Sequence, residues 1–230
     1  MTSKLHAVVM AAGEGSRLRP LTERWPKPVL PIDGRPVIVT LLRDLAGTGI
    51  GSATVVTGHL AEQIEDLVGD GSALDIAVTY ARQPEPHGSA DAVRRALAAG
   101  AFAPLLVAAA DTVFQPGALA RVSAEWQGSG LPAGLAVRDG GGEGKTPVRV
   151  EHGRVVAIGG ERGELTAAPL WFFADTVLPR FEGLPGPPFE LAAAFRDHAD
   201  TGIEVLALDV GPTRDITRPE DVVVENFPYL

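Results

Sequence analysis

The chain has 230 residues, of which 45% are hydrophobic and 21% charged, and its formal net charge is -9. This composition is that of an ordinary globular protein that can bury a sizeable core. The acidic balance excludes an extended nucleic-acid-binding face, which needs clustered positive charge. The absence of cysteine excludes a disulfide scaffold and thiolate metal sites, and it indicates a reducing, cytoplasmic location.

Apolar runs alternate with helical patterns through the first half of the chain. The N-terminal segment "MTSKLHAVVMAAGEG" is too short in its apolar core to cross a membrane, so we predict a buried strand rather than a signal peptide, and no membrane partner. A helix is predicted near residues 35–45, where Pro36 suits the first turn. Further strands are predicted at "SATVVTG", "LDIAVTY" and "APLLVAAA", and further helices at "HLAEQIEDLV" and "SADAVRRALAAG". Such alternation predicts a parallel sheet with helices on both faces.

The second half has a different pattern. The segment "GLAVRDGGGEGKTPVRVEHGRVVAIGG" predicts short strands around a glycine-rich loop. Strands are also predicted at "TAAPLWFF" and "IEVLALDV", with helices at residues 189–198 and from Pro219 onward. No repeat and no long linker interrupts the chain, so we predict one domain, residues 1–230, with an inserted β-rich lobe.

The glycine turn after the first strand presents backbone N–H groups that suit an anion. No lysine-hydroxyl pair follows Gly13 and Gly15, which excludes a Walker loop. Leu18 stands at the position where the dinucleotide-binding fingerprint requires glycine, which excludes that fingerprint. Four basic residues follow within eleven positions: Arg17, Arg19, Arg24 and Lys27. They supply a local positive field that suits a polyphosphate, although the chain as a whole is acidic.

Three segments resemble motifs of one enzyme family. "AAGEGSRLRPLTERWPKPVLPI" is similar to the signature G-x-G-[TS]-R-L-x-P-L-T followed by P-K-P, found in the sugar-1-phosphate nucleotidyltransferases, or nucleoside-diphosphate-sugar pyrophosphorylases. "RQPEPHGSADAVRRAL" resembles the family segment Q-x-x-x-x-G-[TS]-A-x-A-[VI]. "DVGPTRDITRPEDVVVEN" resembles its closing D-I-x-T-P-E-D segment.

The resemblance implies an α/β fold with a mostly parallel, Rossmann-like twisted sheet, helices on both faces and a small inserted β-rich lobe that binds the acceptor. Residues up to about 115 are expected to bind the nucleotide and residues 116–230 the acceptor. The implied activity is Mg²⁺-dependent transfer of a nucleotidyl group from a nucleoside triphosphate (NTP) to a sugar 1-phosphate, with release of pyrophosphate. The sequence leaves open whether the chain forms a homo-oligomer.

The resemblance assigns two catalytic cations and a nucleotide-binding turn. Arg17 is expected to bind the triphosphate and Lys27 the α-phosphate and sugar phosphate, whereas Arg19 and Arg24 are expected to be solvated or paired. The turn residues expected to line the nucleotide are Ala11, Ala12, Gly13, Glu14, Gly15 and Ser16.

The second segment supplies the expected base-binding residues. The resemblance assigns Gln83 to the base edge, Gly88 to close backbone approach and Ser89 to the helix N-cap. A glutamine amide suits the N3–H and a carbonyl of uracil or thymine. The amide could turn over to suit cytosine, so UTP or dTTP is favoured and CTP stays open.

Asp111 and Asp215 take the places of the family's Mg²⁺ ligands. Asp111 ends a predicted strand, and Mg²⁺ prefers one or two carboxylates together with phosphate oxygens and water.

The segments expected to bind the acceptor differ from the family pattern. Glu161 is the one acceptor-binding residue that the resemblance assigns there. This departure leaves alternatives: a cytidylyltransferase for phosphocholine or a phosphonate, or a guanylyltransferase for mannose 1-phosphate. A non-catalytic nucleotide sensor and a dinucleotide-binding oxidoreductase are less compatible with these residues.

Overall fold

The structure, a computed structural model, describes residues 4–140, 145–160, 163–195 and 202–227. Its strands are β1 His6–Ala11, β2 Pro31–Ile32, β3 Arg35–Pro36, β4 Ser52–Thr57, β5 Ala77–Arg82, β6 Leu105–Ala109, β7 Thr112–Phe114, β8 Ala133–Asp139, β9 Pro147–Glu151, β10 Arg154–Ile158, β11 Leu165–Phe173, β12 Val205–Asp209 and β13 Thr213–Asp215. Its α-helices are α1 Val37–Gly47, α2 Ala61–Val68, α3 Ser89–Ala98, α4 Ala118–Ser129 and α5 Pro219–Asn226.

Nine strands form one mixed sheet in the order β5-β4-β1-β6-β11-β8-β12-β10-β9. The first four in this order are parallel, as predicted for the first half of the chain. The prediction of a mostly parallel sheet is wrong for the second half, where β8 and β12 are parallel and the other pairs antiparallel. The β9–β10 pair shows why: a two-residue turn, His152 and Gly153, joins them, and so short a turn permits only antiparallel pairing.

The second half does not fold as a separate inserted lobe. Strands β8 to β12 continue the same sheet beyond β6, because β11 pairs directly with β6 through Leu170 to Phe173. The acceptor lobe expected from the sequence is therefore an extension of the central sheet.

Helices cover both faces of the sheet. Along β1, Ala7 and Val9 belong to one buried cluster and Val8 to the other, because successive side chains point to opposite faces. Helices α1, α2 and α4 pack on the first face, and α3 packs on the second. The second face is completed by two 3₁₀ segments, Asp175–Phe181 and Leu191–Phe195.

Two helical regions differ from the sequence prediction. The predicted helix at 189–198 is a 3₁₀ segment, Leu191–Phe195, and positions 196–198 lie outside the described residues. Helix α4 was not predicted; Leu119, Val122 and Trp126 form its buried face. Its glycine and serine residues weaken the helical signal, and packing on the sheet compensates.

A third buried cluster joins the glycine-turn region to the end of the chain. Leu18 packs there with Leu30, Ile32, Val37 and Ile216. Leu18, which excludes the dinucleotide fingerprint, therefore packs in one cluster with Ile216, the residue after Asp215. Within the described ranges, every helix is too short or too polar to reach across a lipid bilayer.

Candidate active site

The glycine turn leaves β1 at the carboxyl edge of the parallel strands and is held by a buried threonine. Gly15 has φ +61, and a Cβ there would lie 2.9 Å from the Thr22 side chain. The Thr22 hydroxyl donates to the Gly15 carbonyl at 2.9 Å, and its own carbonyl is bonded to the His59 ring at 2.7 Å. Since Gly15 is left-handed and crowded, the turn requires glycine at this position.

Two cavities open at this edge. The first has a volume of about 430 Å³ and the second about 360 Å³. Predicted residues lining the first are Ala11, Ala12, Gly13, Gly15, Ser16, Arg17, Lys27, Gln83, Gly88, Ser89 and Asp111. The second is lined by residues of the extended sheet and by Asp215. Arg17, Ser89, Asp111 and Glu190 line both cavities, so the two meet at these residues.

One predicted residue, Glu14, does not join these cavities. The Glu14 side chain is exposed and pairs with Arg19 at 3.5 Å, and Glu14 does not line either cavity. The pairing of Arg19 agrees with the expectation that it is not a phosphate ligand. Glu161 lies outside the described residues.

Lys27 and Asp111 form an ion pair where the cavities meet. The Lys27 Nζ donates to Asp111 Oδ2 at 2.6 Å, and Asp111 Oδ1 accepts from the Thr112 hydroxyl at 3.1 Å. Lys27 arrives from a 3₁₀ turn, Lys27–Val29, whereas Asp111 follows β6. The predicted phosphate-binding lysine and the predicted metal ligand therefore touch directly.

Asp215 is brought beside Asp111 by a short antiparallel pair. In the β7–β13 pairing, Asp215 is the partner of Thr112, the residue after Asp111. Both carboxylates line the second cavity, and Asp215 Oδ2 accepts from the Thr217 hydroxyl at 3.3 Å. Two carboxylates beside a phosphate-sized space suit Mg²⁺, which takes its remaining ligands from substrate and water. Among the described residues there is no cluster of three or more metal-binding side chains.

The Gln83 amide is held in one orientation. Gln83 is buried at the end of β5, and its Nε2 donates to the Gly88 carbonyl at 3.0 Å and to Asp91 Oδ2 at 2.9 Å. Burial works to raise the pKa of Asp91, but hydrogen bonds from Arg95 and Gln83 outweigh it and hold the pKa below its ordinary value. Both partners of the amide nitrogen are acceptors, so the amide is not free to turn over and Oε1 remains for a ligand.

Ser89 does not cap α3 as predicted. Its hydroxyl donates to Glu190 Oε2 at 2.6 Å and accepts from the Leu191 backbone N–H at 2.8 Å. Gly88 lies directly against the Phe189 backbone, and this contact holds residues 189–191 over the start of α3. The Ser89 hydroxyl therefore holds residues 189–191 at the site and does not cap α3.

The sequence model of one family, described as nucleotidyl transferase, matches residues 6–131, more than half of the chain. The chain belongs to this family. The match ends before β8, so it covers the parallel half of the nucleotidyltransferase sheet, α4 and most of the first cavity.

Curated relatives resemble this chain over part of its length. The CMP-5'-(3-aminopropyl)phosphonate synthase of Streptomyces rubellomurinus is 35% identical over 136 residues, 58% of this chain and 21% of the relative. The N-acetylmuramate alpha-1-phosphate uridylyltransferase of Neisseria meningitidis serogroup B is 38% identical over 112 residues, 47% of this chain and 48% of the relative. The matched region thus spans less than half of either relative.

Solved structures share the whole fold. The inositol-1-phosphate CTP transferase of T. maritima superposes with a TM-score of 0.81 at 20% identity, covering 96% of this chain and 93% of the other. A UDP-glucose pyrophosphorylase superposes with a TM-score of 0.82 at 18% identity, covering 99% and 98%. The extended sheet of the second half is therefore part of the fold that these nucleotidyltransferases share.

Several residues that line or support the two cavities were not found from the sequence. Asp91 stands four residues before Arg95, a spacing that pairs them on a helix and could have been noticed. Glu190 reaches the site only through the fold, since its partner Ser89 is 101 positions away. Arg138 is a charged residue inside the apolar strand β8 and lines the second cavity.

Proposed function

We propose that this chain catalyses Mg²⁺-dependent transfer of a nucleotidyl group from an NTP to a phosphorylated acceptor, with a sugar 1-phosphate as the first candidate and an NDP-sugar as the product. The observation that carries the proposal is the meeting of two cavities at Arg17 and the Lys27–Asp111 pair. A triphosphate and an acceptor phosphate bring about six negative charges to one place, and phosphoryl transfer depends mainly on positioning and electrostatics.

The reaction follows from this arrangement. An acceptor phosphate oxygen attacks the α-phosphorus in line, the bond to the bridging β-phosphate oxygen breaks, and pyrophosphate leaves with the electron pair. Arg17 neutralises the departing pyrophosphate, and Lys27 neutralises the α-phosphate and the incoming acceptor phosphate. No general base is required, because the attacking phosphate is already ionised at neutral pH.

Asp111 and Asp215 would hold the divalent cation, for which Mg²⁺ is the proposed identity. When bound, the metal would supply further charge neutralisation at the α-phosphate. Two carboxylates in one cavity support this assignment, because the substrate phosphates can complete the coordination.

The position of Gln83 supports UTP or dTTP as the nucleotide. The Oε1 atom is an acceptor, which matches the N3–H of uracil or thymine. In the same pose cytosine would present its own acceptor at N3, and the Asp91 contact opposes the amide reversal that would accommodate it.

The two halves of the chain are proposed to divide the substrates. Residues 1–115 supply most of the lining of the first cavity and would bind the nucleotide. The second cavity includes Ile158, Ala168 and Trp171 of the extended sheet, and residues 116–230 would bind the acceptor there. A cytoplasmic location remains a prediction, and whether the chain forms a homo-oligomer stays open.

A second candidate is cytidylyl transfer to a phosphonate or phosphocholine. The Streptomyces rubellomurinus relative, which is named for a CMP-phosphonate product, favours it. A guanylyltransferase for mannose 1-phosphate stays an alternative, because guanine also presents a donor, N1–H, that the Gln83 Oε1 acceptor could bind.

A matrix of NTPs against sugar 1-phosphates, phosphocholine and phosphonates, scored by pyrophosphate release, tests both candidates. Release from UTP or dTTP with a sugar 1-phosphate is expected, and release only from CTP with a phosphonate or phosphocholine would favour the second candidate. Tight NTP binding without pyrophosphate from any pair would indicate a nucleotide sensor and would refute the proposal.

A further inference from the structure

Arg138 is a buried cation without a counter-ion. It lies on β8, between β11 and β12, and is only 8% exposed. Its Nη1 donates to the Thr213 hydroxyl, whereas its Nε is buried with no hydrogen-bond partner. Across residues 4–140, 145–160, 163–195 and 202–227, no carboxylate lies within ion-pair distance of its guanidinium.

This arrangement is costly in the ligand-free protein. A buried charge is destabilising unless it is paired, and a buried N–H donor without a partner adds a further cost. The more exposed Arg95 and Arg214 have carboxylate partners at 2.7 Å and 2.5 Å. Arg138 differs from these arginines in having no carboxylate partner, and a bound anion would compensate its buried charge.

The cavity beside Arg138 is the place where such an anion could lie. Arg138 lines the second cavity together with Asp111 and Asp215 but does not line the first. Apolar side chains, including Ile158 and Trp171, lie on the same cavity wall and reduce solvent screening. The planar guanidinium fork matches the oxygens of a phosphate, phosphonate or carboxylate.

We propose that Arg138 binds an oxyanion of the acceptor and thereby selects acceptors that are anionic at this position. The inference rests on the proposed function, because it assigns the second cavity to the acceptor. The oxyanion is either the attacking phosphate or phosphonate, or a second acidic group of the same molecule. The nucleotide triphosphate is a poorer candidate, since Arg138 is absent from the lining of the first cavity.

Calorimetric titration of the full chain with two probes tests the assignment without requiring turnover. Methylphosphonate carries one acidic group, and 3-phosphonopropionate carries a phosphonate and a carboxylate. Arg138→Gln should weaken binding roughly tenfold or more, the usual effect of losing a hydrogen bond to a charged group. If Arg138→Gln weakens the binding of both probes, Arg138 binds the reacting phosphate or phosphonate group. If it weakens the binding of 3-phosphonopropionate alone, Arg138 binds the second acidic group.

Three further variants control the measurement. Arg149→Gln removes an exposed arginine of β9 that pairs with Glu151, and it should leave the affinity for both probes unchanged. Ser16→Ala changes a residue of the glycine turn that lines the first cavity and not the second, so it identifies any probe that binds beside that turn instead. Arg138→Lys should restore part of the affinity, because the charge returns without the fork.

Thermal melting separates ligand binding from a structural role. Removing a buried, uncompensated charge should leave the Tm of Arg138→Gln equal to or above that of the unaltered chain. Unchanged affinity for both probes, or no probe binding by the unaltered chain, would overturn the inference. Failure of pyrophosphate release with retained, Arg138-dependent probe binding would refute the proposed function while leaving the anion site in place.

Discussion

The Lys27 Nζ lies 2.6 Å from Asp111 Oδ2, although the two residues are 84 positions apart in the chain. The pair is partly buried, with side-chain exposures of 14% and 34%. The cation proposed to bind phosphate and the carboxylate proposed to bind the metal are thus in direct contact. Under the proposed function, we expect Lys27 to exchange this carboxylate for phosphate oxygens when the nucleotide and metal bind.

Lys27→Ala should lower the rate of pyrophosphate release by about a hundredfold or more, the typical effect of losing one charge-stabilising donor. The fold should persist, because the ion pair retains solvent access and such pairs contribute little to stability. Lys4→Ala, at an exposed lysine, is the matched control and should have no effect. A turnover rate close to that of the unaltered chain would show that Lys27 has no catalytic role.

Asp215→Asn should abolish most Mg²⁺-supported turnover and leave thermal stability equal or slightly higher. The substitution keeps the shape of the side chain but removes one of two like charges that line the same cavity. Asp66→Asn, at an exposed position of α2, serves as the control. Turnover as a function of Mg²⁺ concentration is the measurement, and an unaltered Mg²⁺ dependence would remove Asp215 from the metal site.

Gln83→Ala should weaken discrimination among NTPs by roughly 1–3 kcal/mol, because a polar group of the base loses its partner. Asp91→Asn should relax the preference for UTP over CTP, since an asparagine amide can donate as well as accept and so allows the Gln83 amide to turn. Ratios of kcat/KM for the two nucleotides measure both effects. The exposed Gln127→Ala is the control, and unchanged ratios in Gln83→Ala would mean that other groups bind the base edge.

Gly88→Ala should destabilise the protein more than Gly100→Ala, by about 1–3 kcal/mol. The two glycines have nearly equal φ, +100 and +102, so both substitutions place an L side chain at a strained positive φ. Only at Gly88 would the new Cβ meet another segment, at 2.5 Å from the Phe189 carbonyl oxygen. Denaturant unfolding compares the two variants. Equal losses would mean that residues 189–191 yield to the methyl group without cost.

His6 should make the protein less stable as the pH falls below about 6.5, the ordinary pKa of histidine. Burial lowers the pKa of His6, whose ring nitrogens lie 2.8 Å from the Ser52 and Thr54 hydroxyls. As pH falls below about 6.5, the unfolded chain binds a proton that the folded chain does not, so the free energy of unfolding decreases. His6→Gln should reduce this decrease, measured by denaturant unfolding at several pH values. The exposed His152→Asn is the control, and the same slope in both variants would contradict the assignment.

The first half of the fold and most of the first cavity could be predicted because their signals are local. An apolar strand followed by a glycine turn directs backbone N–H groups to the sheet edge, and the spacing from Gly13 to Lys27 lies within one short window. Asp111 was found in the same way, as a carboxylate at a strand end. An anion-binding function of the turn could therefore be predicted before any long-range contact was known.

The second half could not be predicted in the same way, because a strand's partners depend on packing across the whole sheet. Nothing within β11 indicates that it pairs with β6 on one side and β8 on the other. The hydroxyl of Ser89 illustrates the same limit for a side chain: local rules favour a helix cap, but Glu190, 101 positions away, provides a stronger charged partner.

By itself, the sequence determined the family, the parallel half of the sheet and most of the residues that line the first cavity, since all three depend on short motifs and regular periodicity. Only the tertiary structure decided that Lys27 contacts Asp111, that Asp215 arrives beside Thr112 and that Arg138 is buried without a counter-ion. The physical reason is that such contacts form between segments distant in sequence, whose approach is set by the packing of Leu18 and Ile216 and by the pairing of distant strands.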